Sequence, residues 1–466
     1  MEQQKYENIY FLGIGGIGMS AIARYFLNEG CRVAGYDLTA TPLTRALESE
    51  GALVHYEDDP ELIPEQMRDA ENTLVVLTPA IPADHKEWAW LRERGFTIEK
   101  RSQMLGHLST GKVVMAVAGT HGKTTTSTLA SWLNHAAAGE GSAFLGGISR
   151  NFNSNLVLGE GKRLVVEADE YDRSFLRLYP DVAVITATDA DHLDIYGTPE
   201  AMVEAFAEFA SQIKPGGVLI AKQGVEIKFD TATRRMYRYS CDEGGDFHAE
   251  NITLIEGGHY RYDIVLPDGR IEGCTLGILG KVHIENSVAA VAMLWAAALI
   301  EGKSINHDAI RKALAEFSGV KRRMEVYLNT PEQVYIDDYA HHPEELRATI
   351  TSLRGIFPGR KIMAIFQPHL YTRTRDFAPE FAEVLSLCDK VIMIPIYPAR
   401  ELPIEGVTSE LIGRSITASW ELVDRFDVAN YLKDVDTDVV VTFGAGNIDV
   451  ICNDVAEVLK AKVNNN

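Results

Sequence analysis

Twice along this chain an apolar run ends in a cluster of glycines and gives way to a helical pattern. Residues 8–14 lead into Gly13-Ile14-Gly15-Gly16-Ile17-Gly18, and residues 112–118 lead into Gly119-Thr120-His121-Gly122-Lys123-Thr124-Thr125-Thr126. A strand that turns through glycine into a helix has to cross back over its sheet, which predicts an α/β fold on parallel strands. Further apolar runs follow the first turn at 32–37 and 74–78, and the second at 163–167, 182–186 and 217–221. Residues 237–275 break this rhythm with short alternating runs and the turn Pro267-Asp268-Gly269, the pattern of an antiparallel excursion. Residues 279–300 read as a helix. A third restart near Lys321 brings strands at 333–336, 361–366, 390–394 and 439–443, and the tail from Lys460 to Asn466 reads as frayed.

At roughly 100–200 residues per domain, 466 residues make two to four domains. The restarts predict three α/β domains, at 1–108, 109–320 and 321–466. Hydrophobic residues at 46% and charged residues at 24% exclude a largely disordered chain. Forty-five Lys plus Arg against 66 Asp plus Glu leave a net charge of −21, which disfavours nucleic acid and acidic membrane surfaces as partners. A small anion remains admissible, because a local nest of backbone N–H groups outweighs a distant net charge. The five cysteines (Cys31, Cys241, Cys274, Cys388, Cys452) form no C-x-x-C, so they read as small buried residues in a reducing compartment. The chain opens without an apolar signal core, and the greasiest stretch, 288–300, is too short to span a bilayer; a cytoplasmic protein is expected.

The first loop satisfies G-x-G-x-x-G, whose glycines let backbone N–H groups approach a pyrophosphate at a helix N-terminus. Asp37 ends the next strand, where a carboxylate would meet a ribose. A nicotinamide or a uridine nucleotide suits this loop equally, and a purely structural tight turn would also explain it. The second loop is more specific. Its N–H groups would cradle phosphates, Lys123 would neutralise the β and γ positions, and the Thr124 hydroxyl would hold Mg²⁺. Val117 stands where the usual spacing has glycine, so the loop is a shortened variant. Glu167-Ala168-Asp169-Glu170-Tyr171-Asp172 and Asp189-Ala190-Asp191-His192-Leu193-Asp194 end neighbouring strands, where ligands of open α/β sheets bind. Acidic oxygens there suit Mg²⁺; helix capping and solvated loops are the bland alternative.

In the third segment Lys321-Arg322-Arg323, Asp337-Asp338-Tyr339-Ala340-His341-His342-Pro343, Phe366-Gln367-Pro368-His369-Leu370-Tyr371-Thr372-Arg373, Tyr397-Pro398-Ala399-Arg400-Glu401 and Phe443-Gly444-Ala445-Gly446-Asn447 crowd the strand ends. No further His at ligand spacing turns the His341-His342 pair into a zinc site. A ligand pocket or interdomain salt bridges would account for the remaining charges.

Taken together, Gly-Ile-Gly-Gly-Ile-Gly-Met, Gly-Thr-His-Gly-Lys-Thr-Thr-Thr, Glu-Ala-Asp-Glu, Asp-His-Leu-Asp, Asp-Asp-Tyr-Ala-His-His-Pro and Phe-Gln-Pro-His resemble the Mur ligases, in the family's order and over essentially the whole chain. The resemblance is strongest to the alanine-adding members. It implies an N-terminal Rossmann-like UDP-binding domain, a central P-loop-type ATPase domain and a C-terminal Rossmann-like domain that takes the amino acid. It further implies an ATP- and Mg²⁺-dependent ligase of peptidoglycan precursor synthesis, joining UDP-N-acetylmuramate to L-alanine through an acyl phosphate, as a monomer or weak homodimer. By resemblance Gly15, Gly16, Ile17, Gly18 and Asp37 hold the UDP moiety. Gly119, Thr120, His121, Gly122, Lys123, Thr124 and Thr125 hold ATP, with Asn286 on the adenine and Arg323 and Asp338 on the nucleotide from the third domain. Thr124 takes one Mg²⁺, Glu167 and His192 a second, and His369 and Arg373 help select alanine. Lys123, Glu167, His192 and Arg323 are the catalytic set. Two departures stand out: no Lys lies between His192 and Lys214, where several members carry a carbamylated lysine, and Leu370 stands where some relatives have Arg. A muropeptide-recycling ligase that adds L-Ala-γ-D-Glu-diaminopimelate to the same nucleotide sugar is the nearest alternative. An NAD-dependent oxidoreductase, from another class, uses the first loop but leaves the second unexplained.

Overall fold

Buried parallel strands read as unbroken apolar runs because helices cover both faces of the sheet. The computed structural model, which describes residues 6–189, 193–399 and 401–465, places such runs in three α/β sheets. In the first, β1 (Asn8–Leu12), β2 (Arg32–Tyr36), β3 (Leu53–His55), β4 (Thr73–Leu77) and β5 (Thr97–Lys100) run parallel in the order β3-β2-β1-β4-β5. The second holds β6 (Val113–Ala118), β7 (Ser142–Ser149), β8 (Ser154–Val157), β9 (Arg163–Glu167), β10 (Val182–Ile185), β11 (Val218–Lys222) and β12 (Arg235–Tyr239). Their order is β12-β11-β10-β6-β9-β7-β8, with only the edge strand β8 antiparallel to its neighbour. Tyr237 thus belongs to the main sheet and not to the excursion, which starts at β13 (His248–Leu254) and continues through β14 (Tyr260–Leu266) and β15 (Gly269–Thr275) as a three-stranded sheet. The third α/β sheet comprises β16 (Glu325–Asn329), β17 (Val334–Asp338), β18 (Ile362–Phe366), β19 (Lys390–Met393), β20 (Ser419–Leu422) and β21 (Val439–Phe443). Its order is β16-β17-β21-β18-β19-β20, parallel except for β16.

By contact the chain forms two compact units: Met1–Glu250, Asp263–Cys274 and Glu285–Phe317 make the first, and Asn251–Tyr262, Thr275–Ile284 and Ser318–Asn466 the second. The first two sheets fall in one unit because they share a core. Ile9 and Phe11 of β1 join Val114, Ala116, Leu164, Val166, Ile185 and Phe206 in a single apolar cluster. The alternate residues of β1, Tyr10 and Leu12, face the opposite side with Val75, Leu77 and Leu91. The third sheet likewise buries Ile336, Ala364 and Phe366 on one face and Tyr335, Met363 and Ile365 on the other.

Two expectations change. The helix Val282–Ile300 has 19 residues and is long and apolar enough to cross a membrane, yet 83% of its most apolar window is buried inside the chain, as in a core helix. Within the described residues the tail is not frayed: the helix Cys452–Asn465 continues, and Lys462 Nζ anchors it to the carbonyls of Leu432 (3.1 Å) and Val435 (2.5 Å), while Asn466 lies outside the described residues. All five cysteines are free thiols.

Beneath the first sheet lies a buried polar network. The Tyr10 hydroxyl donates to Glu87 Oε2 (2.6 Å) and lies 2.8 Å from His55 Nε2; Asp59 N–H donates to Glu87 Oε1 (3.3 Å). The Asp58 carboxylate takes the N–H groups of Lys86 and Glu87 and stands 3.1 Å from His85 Nδ1. Burial pushes the fully enclosed Glu87 carboxyl up to about 7. The folded state therefore favours protonated Glu87, and that contribution is complete below the unfolded value of 4.5 and lost as pH rises through about 7. Burial holds His55 and His85 below their ordinary range, which gives the opposite slope on the acid side. Glu87→Gln isolates the carboxylate. Between pH 5 and pH 8 the variant is expected to gain stability relative to the parent by up to about 3 kcal/mol, read from urea midpoints across that range; a constant difference would contradict it.

Candidate active site

β6 is the middle strand of the second sheet, between β10 and β9. Val117 is fully buried inside it, paired with Glu167 of β9 and Val184 of β10, so the loop starts two residues later, at Gly119. Gly119 adopts φ +127°, and a Cβ there would lie 2.2 Å from Thr186 Oγ1 and 2.7 Å from Ala187 N. Only glycine fits that position. Gly122, at φ +78°, opens the helix Lys123–Ala138. Thr120 N–H donates to the Ala187 carbonyl, and the His121 carbonyl accepts the Thr186 hydroxyl (2.5 Å), while the His121 ring is exposed, 3.9 Å from Asp189.

The helix start then aims its side chains. Lys123 Nζ donates to the Gly119 carbonyl and to Glu170 Oε1, both at 2.7 Å. Burial pushes the Glu170 carboxyl up, and the neighbouring ammonium opposes that. Thr124 Oγ1 donates to Glu167 Oε1 (3.0 Å), whose other oxygen takes Gly146 N–H (3.1 Å) and the Ser127 hydroxyl (3.3 Å). A Cβ on Gly146 would meet that carboxylate at 2.3 Å, so β7 carries glycine where Glu167 passes. Thr125 is buried, and Thr126 Oγ1 donates to Asn286 Oδ1 (3.3 Å), close behind Gly122. The end of β6 thus brings Lys123, Thr124, Thr125, Glu167, Glu170 and Asn286 together. Ala190, Asp191 and His192 lie outside the described residues, as does Arg400. No group of three or more His, Cys, Asp or Glu placed to hold a metal occurs among the described residues. The facing oxygens of Thr124 and Glu167 are nevertheless hard donors of the kind Mg²⁺ prefers, with a nucleotide's phosphates able to complete its shell.

The first glycine loop sits on the same unit. Gly13 and Ile14 N–H both donate to the Tyr36 carbonyl, which folds the loop over β2. Gly16 and Ile17 are exposed, and Ile17, Gly18 and Met19 open the helix Ile17–Asn28 with N–H groups that have no partner one turn back. Asp37 faces this loop: Oδ2 accepts Gly15 N–H (2.7 Å) and Oδ1 accepts Thr39 N–H (3.2 Å). Its first task is therefore to shape the turn.

The second unit gathers its own strand ends. Asp338, at the end of β17, is buried, and its carboxyl is pushed up to about 6 by burial, against the pull of Arg323; it accepts Ala340 N–H and the Thr349 hydroxyl, both at 3.0 Å. Arg323 lies 5.3 Å from the Tyr339 ring centre. Its neighbour Arg322, from the same charged run, organises the region: it pairs with Asp337 (3.2 Å) and donates to the carbonyls of Gly444 and Gly446. His369 stacks on Tyr397 (5.7 Å between ring centres) beside His341 and Arg373. Burial, with those two neighbours adding to it, drops its ring to about 4, so it is neutral at pH 7. Leu370 opens the next helix at φ +72°, a conformation side chains avoid, which marks a constrained turn. The His341-His342 pair diverges, His341 towards Glu345 (3.3 Å) and His342 edge-on to Phe377. Glu345 accepts the N–H groups of both histidines, a cap that Glu three residues after His342 announces in the sequence. Glu401 accepts Thr372 N–H and its hydroxyl, so it holds the first turn of the helix Tyr371–Asp376 from a distant loop.

Three Mur ligase models match the chain in succession: the family's catalytic domain over residues 8–112, its middle domain over 117–294, and its glutamate ligase domain over 322–446. The UDP-N-acetylmuramate--L-alanine ligase of Phocaeicola vulgatus is 47% identical over 96% of this chain and 97% of its own. That of Parabacteroides distasonis is 46% identical over 98% of each. Among solved structures, UDP-N-acetylmuramate-alanine ligase from Thermotoga maritima superposes with a TM-score of 0.81 at 25% identity, covering 98% of this chain and 99% of that one. With near-complete coverage at such identity, and with both glycine loops at parallel-strand ends, the chain belongs to the Mur ligase family.

Proposed function

We propose that this chain is an ATP-dependent ligase that forms the amide between the lactyl carboxylate of UDP-N-acetylmuramate and L-alanine, in peptidoglycan precursor synthesis. The observation that carries the reading is the end of β6, where Lys123 and Thr124 face Glu170 and Glu167 across a glycine turn with no room for a side chain. The names of the near-full-length relatives agree with it. Residues 1–108 take the nucleotide sugar, 109–320 the ATP and 321–466 the amino acid. The enzyme works in the cytoplasm as a monomer or weak homodimer, without nucleic acid or membrane insertion.

A carboxylate is a poor electrophile. One of its oxygens attacks the γ-phosphorus of ATP, the bond to the β-bridging oxygen breaks, and ADP leaves an acyl phosphate behind. The neutral amine of alanine attacks the acyl carbon, loses a proton, and the tetrahedral intermediate expels phosphate. The protein's part is to place charge and hold reactants, because phosphoryl transfer builds negative charge on oxygens that fixed cations and N–H groups can meet. Lys123 serves the β and γ phosphates, leaving Glu170 for them, and the N–H groups of Gly119 and of His121 through Thr125 line the seat, that of Thr120 being taken by the Ala187 carbonyl. Thr124 would hold one Mg²⁺ and Glu167, with His192, a second; when bound, Mg²⁺ neutralises phosphate charge. Asn286 serves the adenine, and Arg323 and Asp338 the nucleotide. The neutral His369 and the cationic Arg373 receive alanine, the guanidinium on its carboxylate.

Lys123→Ala is expected to lower phosphate release from ATP by about 10²–10³-fold or more while circular dichroism stays unchanged; near-normal turnover would refute the assignment. Chelation of Mg²⁺ is expected to abolish release, and readdition to restore it. With UDP-N-acetylmuramate present, release should be strongest with L-alanine against glycine, L-serine and the L-Ala-γ-D-Glu-diaminopimelate tripeptide. Release with the tripeptide alone would move the protein to muropeptide recycling.

A further inference from the structure

We propose that Arg101 is a pyrophosphate ligand of the nucleotide sugar and that Asp169 is its positioning residue; this rests on reading the first glycine loop as the UDP seat. Arg101 follows β5 as the first residue of the helix Arg101–Leu108. Its guanidinium fills the space that a side chain on Gly18 would need: a Cβ there would lie 2.8 Å from Arg101 Nη1 and 3.1 Å from its Cδ. The last glycine of the loop thus admits a cation at the point where helix Ile17–Asn28 presents its open N–H groups.

The loop needs that cation. Asp37 already sets a carboxylate against Gly15 N–H, so an incoming pyrophosphate meets a negative neighbour that backbone dipoles must offset. A guanidinium carries five donors in a planar fork suited to phosphate oxygens. Arg101 Nη2 is engaged with Asp169 Oδ2 at 3.4 Å, which holds one arm and leaves the Nη1 side over Gly18. Asp169 is itself fixed, because Oδ1 accepts Tyr171 N–H (3.1 Å) and its carbonyl accepts Phe175 N–H (3.0 Å).

The same turn restrains the other phosphate seat. Glu170, the next residue, holds Lys123, and Glu167 two residues before Asp169 faces Thr124. Two consecutive carboxylates at the end of β9 therefore each hold the cation of a different anion site, Asp169 that of the first loop and Glu170 that of the second. An ordinary structural salt bridge would fasten the helix Arg101–Leu108 without reading the ligand, and the two cases differ in what a substitution moves.

The experiment measures KM for UDP-N-acetylmuramate at saturating ATP, Mg²⁺ and L-alanine, together with inhibition by UDP and by uridine. R101A is expected to raise KM about tenfold or more and to weaken UDP inhibition alike, with uridine inhibition and KM for ATP unchanged within about twofold. R101K should recover part of the loss, and R101Q, which keeps the stem as far as Cδ and a neutral amide in place of the guanidinium, gives the same shift as R101A if R101A fails to fold. D169N is expected to raise KM for the nucleotide sugar about threefold alone and not at all in the R101A background, because it acts through the guanidinium. Unchanged KM in both R101A and R101Q, equal weakening of uridine and UDP, or a D169N effect that adds in full would overturn the proposal. Wild-type enzyme that turns over no UDP-N-acetylmuramate would instead overturn the reading of the first loop.

Discussion

The absence of space beside Gly119 governs the rest of the central site. With Thr186 and Ala187 against its Cα, the chain leaving β6 cannot carry a side chain, turns through positive φ, and starts its helix only at Lys123. That delay sets the lysine and the following threonine level with the end of β9, so that Glu167 and Glu170 meet them at hydrogen-bond distance. Gly146 repeats the device from the other side, clearing the path of the Glu167 carboxylate. Glycine here acts as an absence of volume in a place where charge has to pass.

The electrostatics of a chain with net charge −21 follow from the same arrangement. Burial pushes the carboxyls of Glu170, Asp337 and Asp338 up, and Lys123, Arg322 and Arg323 respectively oppose it. Glu170 and Asp337 each hold their cation by a direct hydrogen bond at a strand end. A side chain held in this way is already ordered, so an anion that took it over would not have to order it, which would lower the entropic cost of binding.

Strands were the most legible part of the sequence. Residues 163–167 and 439–443 coincide with β9 and β21 because a strand covered on both faces is an uninterrupted apolar run with charge or glycine at its ends. β12 was misread because it is an edge strand with only Tyr239 buried, and its alternating Arg and Tyr look like a separate hairpin. The phosphate loop was legible as a motif, and the convergence of strand ends on it followed from parallel topology. What stayed hidden were partnerships across long separations. Arg322 with the Gly444 and Gly446 carbonyls, Glu401 with Thr372, and Asp37 with Gly15 depend on which strands become neighbours, and no local pattern encodes that.

The apolar cluster common to the first two sheets has a consequence for the ligands. Ile9 and Phe11 share one core with Ala116 and Val166, so the glycine loop after β1 and the one after β6 are mounted on a single block of packed side chains. Close-packed interiors resist deformation, and the span between the two loops is correspondingly fixed. The block then acts as a ruler: a molecule that is to present one end at each loop is selected by its length before any of its functional groups is read.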